Sequence, residues 1–123
     1  MDNSETYIKM NDKAEEIQRL RGDGLWQNGD CYTCIVSGGR RFTAWWTDTE
    51  DEPPQMFHPV WLPRQDQLQV LSGLSWYLFD KTCVTWAATN PDYQRESKEI
   101  VGLRVVYKEK YNKVWNGEDW VKK

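Results

Sequence analysis

Histidine occurs once in these 123 residues and cysteine three times, so the chain has little of the side chains on which nucleophilic and metal chemistry most often rest. The odd cysteine count argues against a complete disulfide framework and for a reducing compartment. Long apolar runs are also missing. The longest, Trp76-Tyr77-Leu78-Phe79, falls far short of the roughly 18 residues that cross a bilayer. Met1–Glu5 lacks the basic start of a signal peptide, and a cytoplasmic protein with no membrane association is expected. A basic excess is absent as well, since the formal net charge is -3. Residues 1–63 carry six basic against eleven acidic side chains and residues 64–123 ten against eight. That mild asymmetry argues against a general DNA binder. Neither phosphate-cradling frame, G-x-x-x-x-G-K-[ST] or G-x-G-x-x-G, is present, and Gly38-Gly39-Arg40-Arg41 reads as a hairpin turn.

What the chain has in surplus is aromatic surface. Eight tryptophans, six tyrosines and three phenylalanines bring aromatics to 14% within 39% hydrophobic and 28% charged residues. Large rings let a small chain bury enough area, at about 150 to 250 Å² each, and most are expected to do so. Tryptophan is also enriched where proteins bind flat or concave partners, so some rings are expected on a binding surface. The length, at 14.6 kDa, suits a single domain over residues 1–123.

The pattern along the chain is mixed. Residues 1–10 show no period and read as a loosely held start, with Tyr7, Ile8 and Met10 touching the body. Asp12 with Glu15 resembles a capping box, and Met10, Ala14, Ile17 and Leu20 fall on one helical face, so a first helix is expected from Asn11 to Gly22. Asn28-Gly29 signals a tight turn between Leu25-Trp26 and Cys31–Val36, and a second turn leads into Arg41–Thr47, giving a three-stranded meander over residues 25–47. Thr47–Pro59, with its acidic row and Pro53-Pro54, reads as a loop. A second helix is expected to start at Pro63, with Leu68 inward and Gln65, Gln67 and Gln69 exposed. Residues 74–80 lean towards helix, while 82–86 are β-branched enough to leave the segment ambiguous. A third helix over 93–113 follows from Ile100, Leu103, Tyr107, Tyr111 and Val114. Asn116-Gly117 between Trp115 and Trp120 predicts a terminal hairpin. The fold class expected is α+β, a small antiparallel β-meander packed against two or three helices.

Three chemistries merit weighing. Cys31-Tyr32-Thr33-Cys34 has the spacing with which two thiolates grip zinc, and His58 and Cys83 can complete a four-ligand set. The second close-spaced pair of a strong zinc sequence is missing, and in a regular strand Cys31 and Cys34 point to opposite faces. No cofactor is therefore expected, with zinc kept as the exception. A nucleophilic enzyme would have to combine Cys34 or Cys83 with His58, and nothing in the spacing brings them together, so the chain is read as non-enzymatic. Asp48, Glu50, Asp51 and Glu52 lack the glycine and ligand spacing of a calcium loop. With the neighbouring Trp45, and with Trp61, they form the first place to look for a partner surface.

Two segments look familiar: Trp61-Leu62-Pro63-Arg64-Gln65-Asp66-Gln67-Leu68-Gln69, and Tyr107 to Val121, read as YKEKYNKVWNGEDWV. Together they are similar to a group of small uncharacterised proteins of Firmicutes phages and prophages. The resemblance covers residues 60–121, and the amino-terminal half lies outside it. It implies a phage setting and carries no catalytic residue. The reading that follows is a phage or prophage accessory protein that binds a host or phage protein without catalysis, with inhibition of a host defence as one concrete version. The alternative is a small module in which Cys31, Cys34, His58 and Cys83 hold zinc, while Arg40, Arg41 and the basic end of the third helix touch nucleic acid.

Overall fold

The computed structural model describes residues 1–21, 25–35, 39–47, 57–90 and 95–122, and Phe57 and His58 through their backbone alone. The chain is α+β. Its elements run α1 (Glu5–Asp12), α2 (Glu15–Gln18), a 3-10 turn (Arg19–Arg21), β1 (Cys31–Ile35), β2 (Arg41–Trp45), β3 (Phe57–Leu62), α3 (Gln65–Ser72), α4 (Trp76–Thr89), α5 (Lys98–Val106), a π turn (Tyr107–Tyr111), β4 (Lys113–Trp115) and β5 (Trp120–Lys122). They gather into two compact units, Asn3–Leu62 and Pro63–Lys123 with Met1–Asp2.

In the first unit the helix begins earlier than the apolar spacing predicts. Ser4 caps α1, its Oγ accepting from the Tyr7 N–H at 3.3 Å, and Tyr7, Ile8 and Met10 are buried against the body as expected, but from a helix in place of a loosely held start. Asn11 is buried too, and its Nδ2 donates to the Tyr7 carbonyl at 2.9 Å. This buried amide interrupts the apolar stripe that would have marked the helix. The expected helix start near Asn11 is thus a helix end. Ala14 leaves helical geometry at φ -86° and ψ 67°, and only the short α2 and the 3-10 turn follow.

The sheet is antiparallel with strand order β2-β1-β3. Its third strand is β3, not Leu25-Trp26 as expected. The Asn-Gly turn exists, closed by the Asp30 N–H on the Gln27 carbonyl at 3.0 Å with Gly29 at φ 87°, but Leu25 and Trp26 pair with no strand. Trp26 instead stacks on Trp46 at 5.9 Å, and Tyr32 meets both rings edge-on. Phe57, His58 and Pro59, expected in a loop, lie in β3, while residues 48–56 of that stretch lie outside the described ones. Proline is tolerated there because β3 is an edge strand. Val60 and Leu62 pair with Thr33 and Cys31, so by alternation Pro59 and Trp61 turn their backbone groups away from β1.

The second unit is built around α5, where every residue from Glu99 to Val106 is buried. Ser97 caps it through the Ile100 N–H at 3.2 Å and also bonds the Asp2 carboxylate. Helices α3 and α4 pack on α5, and their closeness depends on Gly102. A Cβ at that position would meet Leu68 Cδ1 and Phe79 Cζ at 3.1 Å. The ambiguous stretch resolves as helix, with α4 running through Thr82, Val84 and Thr85. Helix α3 starts at Gln65, two residues past Pro63. Its glutamines serve its ends: Gln67 Oε1 accepts from the Arg64 N–H at 2.9 Å, and Gln69 Nε2 donates to the Leu74 carbonyl at 2.6 Å. Gln65 is exposed as expected, while Gln67 and Gln69 are half-buried by these duties.

The terminal hairpin forms as the sequence predicts. Asn112 takes the left-handed conformation that ends the π turn (φ 53°), and Gly117 at φ 101° closes the tip. Asn116 Oδ1 accepts from the N–H groups of Glu118 and Asp119, each at 2.8 Å. Trp120 is buried, stacked on Tyr107 at 4.2 Å with Trp115 tilted beside it at 5.2 Å.

Candidate macromolecule-binding surface

Of the residues first marked for a partner surface, the structure describes Trp45 and Trp61. Trp45 is 52% exposed on β2. Asp48, Glu50, Asp51 and Glu52 lie outside the described residues. Trp61 is only 1% exposed and is corrected to a core residue. The Arg21 guanidinium covers its ring at 4.0 Å, and Gln18 holds its backbone on both sides, accepting from its N–H at 2.8 Å and donating to its carbonyl at 2.9 Å. Arg21 is itself fixed by the fully buried Asp30, with its Nε 2.6 Å from Oδ2.

Of the candidate metal ligands, the side chains of Cys31, Cys34 and Cys83 are described. Cys31 and Cys34 are buried in β1, paired with Trp45 and Phe42 across β2, and the register with β3 shifts between Thr33 and Ile35. Cys83 belongs to α4 in the other unit, and His58 is known only through its backbone in β3. Among the described residues no group of three or more His, Cys, Asp or Glu side chains is placed to hold a metal ion. Burial raises the pKa of the Cys34 thiol despite the opposing charge of Arg41, which keeps it protonated at neutral pH.

The surface that sequence reasoning missed is α4. Of its fourteen residues only Phe79 is buried, although the helix is one of the most apolar segments of the chain. Trp76 is 72% exposed, and Tyr77, Leu78 and Val84 also lie open. Ser75 starts the helix, its Oγ accepting from the Leu78 N–H at 3.3 Å. The inward positions Phe79, Cys83 and Trp86 follow one another at steps of four and three. Their complement, Tyr77, Lys81, Val84 and Ala88 at steps of four, three and four, marks the outward stripe. That second stripe is the signal that would have revealed the surface.

Beside it, between α4 and α5, lies a groove of about 260 Å³. Phe79, Cys83, Val84, Ala87 and Val101 form its apolar walls, and Asp80, Glu96 and Lys98 supply its charges. Glu96 is held in place by a two-pronged pair with Arg104 at 2.8 and 2.9 Å. Burial, and next the Asp80 carboxylate, push the Cys83 thiol up to about 11, with Lys98 opposing. A thiol so placed is a poor nucleophile near neutral pH. The groove is fitted to bury apolar groups, with a few fixed charges to orient them.

No protein-family model, curated protein or solved structure matches the chain.

Proposed function

We propose that this protein is a phage or prophage accessory protein that works by binding a host or phage protein through the exposed face of α4, without catalysis. The single observation that carries the reading is the apolar helix that buries one residue of fourteen and leaves Trp76, Tyr77, Leu78 and Val84 open. Contiguous exposed apolar surface on a folded chain marks an interaction site, and tryptophan and tyrosine are the side chains that most often dominate binding energy. The phage setting rests on the resemblance of residues 60–121, and inhibition of a host defence is the version that suits a small binding protein in that setting.

The test is affinity capture from phage-infected host cells with wild type and a Tyr77→Asp/Val84→Lys double variant, both exposed positions. A defined protein retained by the wild type and lost by the variant, at unchanged melting temperature, is the expected outcome. Equal retention by both would remove α4 from the reading. Retention that disappears on nuclease treatment would replace a protein partner by nucleic acid.

A further inference from the structure

The sheet of the first unit has two edges of opposite character. On β3 the outward edge is closed: Pro59 has no N–H to offer, and both backbone groups of Trp61 are taken by the side chain of Gln18. On β2 the edge is unpaired among the described residues. The Trp46 N–H bonds the Asp30 carbonyl at 2.6 Å, so by alternation the backbone groups of Phe42 and Ala44 face β1 and those of Arg41, Thr43 and Trp45 face outward. Among the described residues no strand pairs with that edge. Arg41, Phe42, Thr43 and Trp45 are all exposed, and β2 contains no proline or bulge of the kind that blunts a free edge.

We propose that this edge pairs with the same edge of a second copy, so that two β2 strands run antiparallel about a twofold axis through Thr43 and the two sheets become one. Backbone valence allows only registers that set Arg41, Thr43 and Trp45 against one another, and the match of Arg to Trp selects among them. With Thr43 opposite Thr43 of the second copy, Arg41 falls opposite Trp45 of the second copy and Trp45 opposite Arg41 of the second copy. Each pair joins residues whose N–H and C=O groups already face outward, and each exchanges two hydrogen bonds. A slip by one residue would set outward groups against inward ones.

Side chains select the occupant. Arg41, Thr43 and Trp45 share one face of the strand, so the register brings each guanidinium onto an indole, a favourable cation–π pair repeated by symmetry. The two Arg41 charges sit at opposite ends of the pairing and do not oppose one another. A foreign strand would meet the same backbone, but a copy of β2 supplies a Trp for the Arg and an Arg for the Trp. Such an isologous contact closes on itself as a dimer and leaves no edge for further growth.

Sedimentation velocity of the full chain over a micromolar concentration series tests this. The expected result is a shift from 14.6 kDa towards twice that mass. Thr43→Pro, which removes an outward N–H as Pro59 does on β3, should remain monomeric throughout with an unchanged circular dichroism spectrum. Should that variant not fold, Arg41→Ser and Trp45→Ser should each weaken the dimer roughly tenfold, and the exchange Arg41→Trp with Trp45→Arg, which preserves the cross-strand pair, should restore it. A wild type that stays monomeric, or a dimer indifferent to these edge variants, overturns the proposal. So does a dimer lost only with the α4 double variant, or an edge whose amides become protected only when an unrelated extended peptide is added.

Discussion

Cys83 illustrates how a side chain with a chemical reputation loses it through its surroundings. It lies half-buried in the groove between α4 and α5, and desolvation together with Asp80 lifts its thiol to about 11 from a usual value of 9.0. Both influences disfavour the thiolate, and thiolate is the form that attacks. Near pH 8 the thiolate fraction should therefore lie about a hundredfold below that of an unperturbed thiol. The expected outcome is slow alkylation by iodoacetamide at pH 8, rising steeply only as pH approaches 11. Asp80→Asn removes the charge that raises the thiol and should move that rise to lower pH. The profile is measured by mass spectrometry of the peptide containing Cys83, and prompt labelling at pH 7 would reopen a nucleophilic role.

At the scale of elements, glycine in a helix interior usually weakens the helix, yet α5 needs one. At Gly102 the side-chain space is occupied by Leu68 and Phe79, both buried, so α3 and α4 approach α5 where it has no Cβ. Alanine improves helix propensity by about 1 kcal/mol but must displace two packed side chains, at about 1 to 3 kcal/mol. Gly102→Ala is expected to lower stability on balance by about 1 kcal/mol, read as a reduced urea midpoint at unchanged slope. A midpoint above wild type would show that Leu68 and Phe79 yield without strain.

Elements whose signals are local were legible in the sequence. The hairpin between Trp115 and Trp120 follows from Asn116-Gly117, and α5 lies within the helix expected over 93–113, although it covers only Lys98–Val106 and gives way to the π turn at Tyr107. Elements decided by long-range pairing were not. β3 contains Pro59, and its place at an edge, where a missing N–H costs nothing, depends on pairing with β1 at Cys31–Ile35, far back in the sequence. Trp61 looked like a surface ring until Arg21 and Gln18, both distant in sequence, were seen to cover and bond it. Helix α1 was hidden because Asn11, a polar residue, holds a core position. The segments Trp61–Gln69 and Tyr107–Val121 are rich in structural devices: Gln67 and Gln69 at the ends of α3, Asn112 in the left-handed region, and Trp120 stacked on Tyr107. Their chemistry is that of folding, which is why they revealed no site.

On the scale of the whole molecule, the eight tryptophans divide between construction and display. Trp61 and Trp120 are buried, Trp26, Trp46, Trp86 and Trp115 are half-buried, and Trp45 and Trp76 stand 52% and 72% exposed. The two exposed rings lie one in each unit, on the two surfaces assigned separate binding roles. Their fluorescence separates those roles. Iodide, an anion that reaches only accessible indoles, should quench a fraction of the wild-type emission that falls in Trp76→Phe and falls further when Trp45→Phe is added, with melting temperature unchanged. Raising the protein concentration should protect Trp45 alone, since self-pairing through β2 covers its ring with Arg41 of the second copy. Adding a captured partner should protect Trp76 alone. Protection of Trp76 by concentration would transfer self-association to α4, and protection of Trp45 by the partner would make the β2 edge the recognition surface.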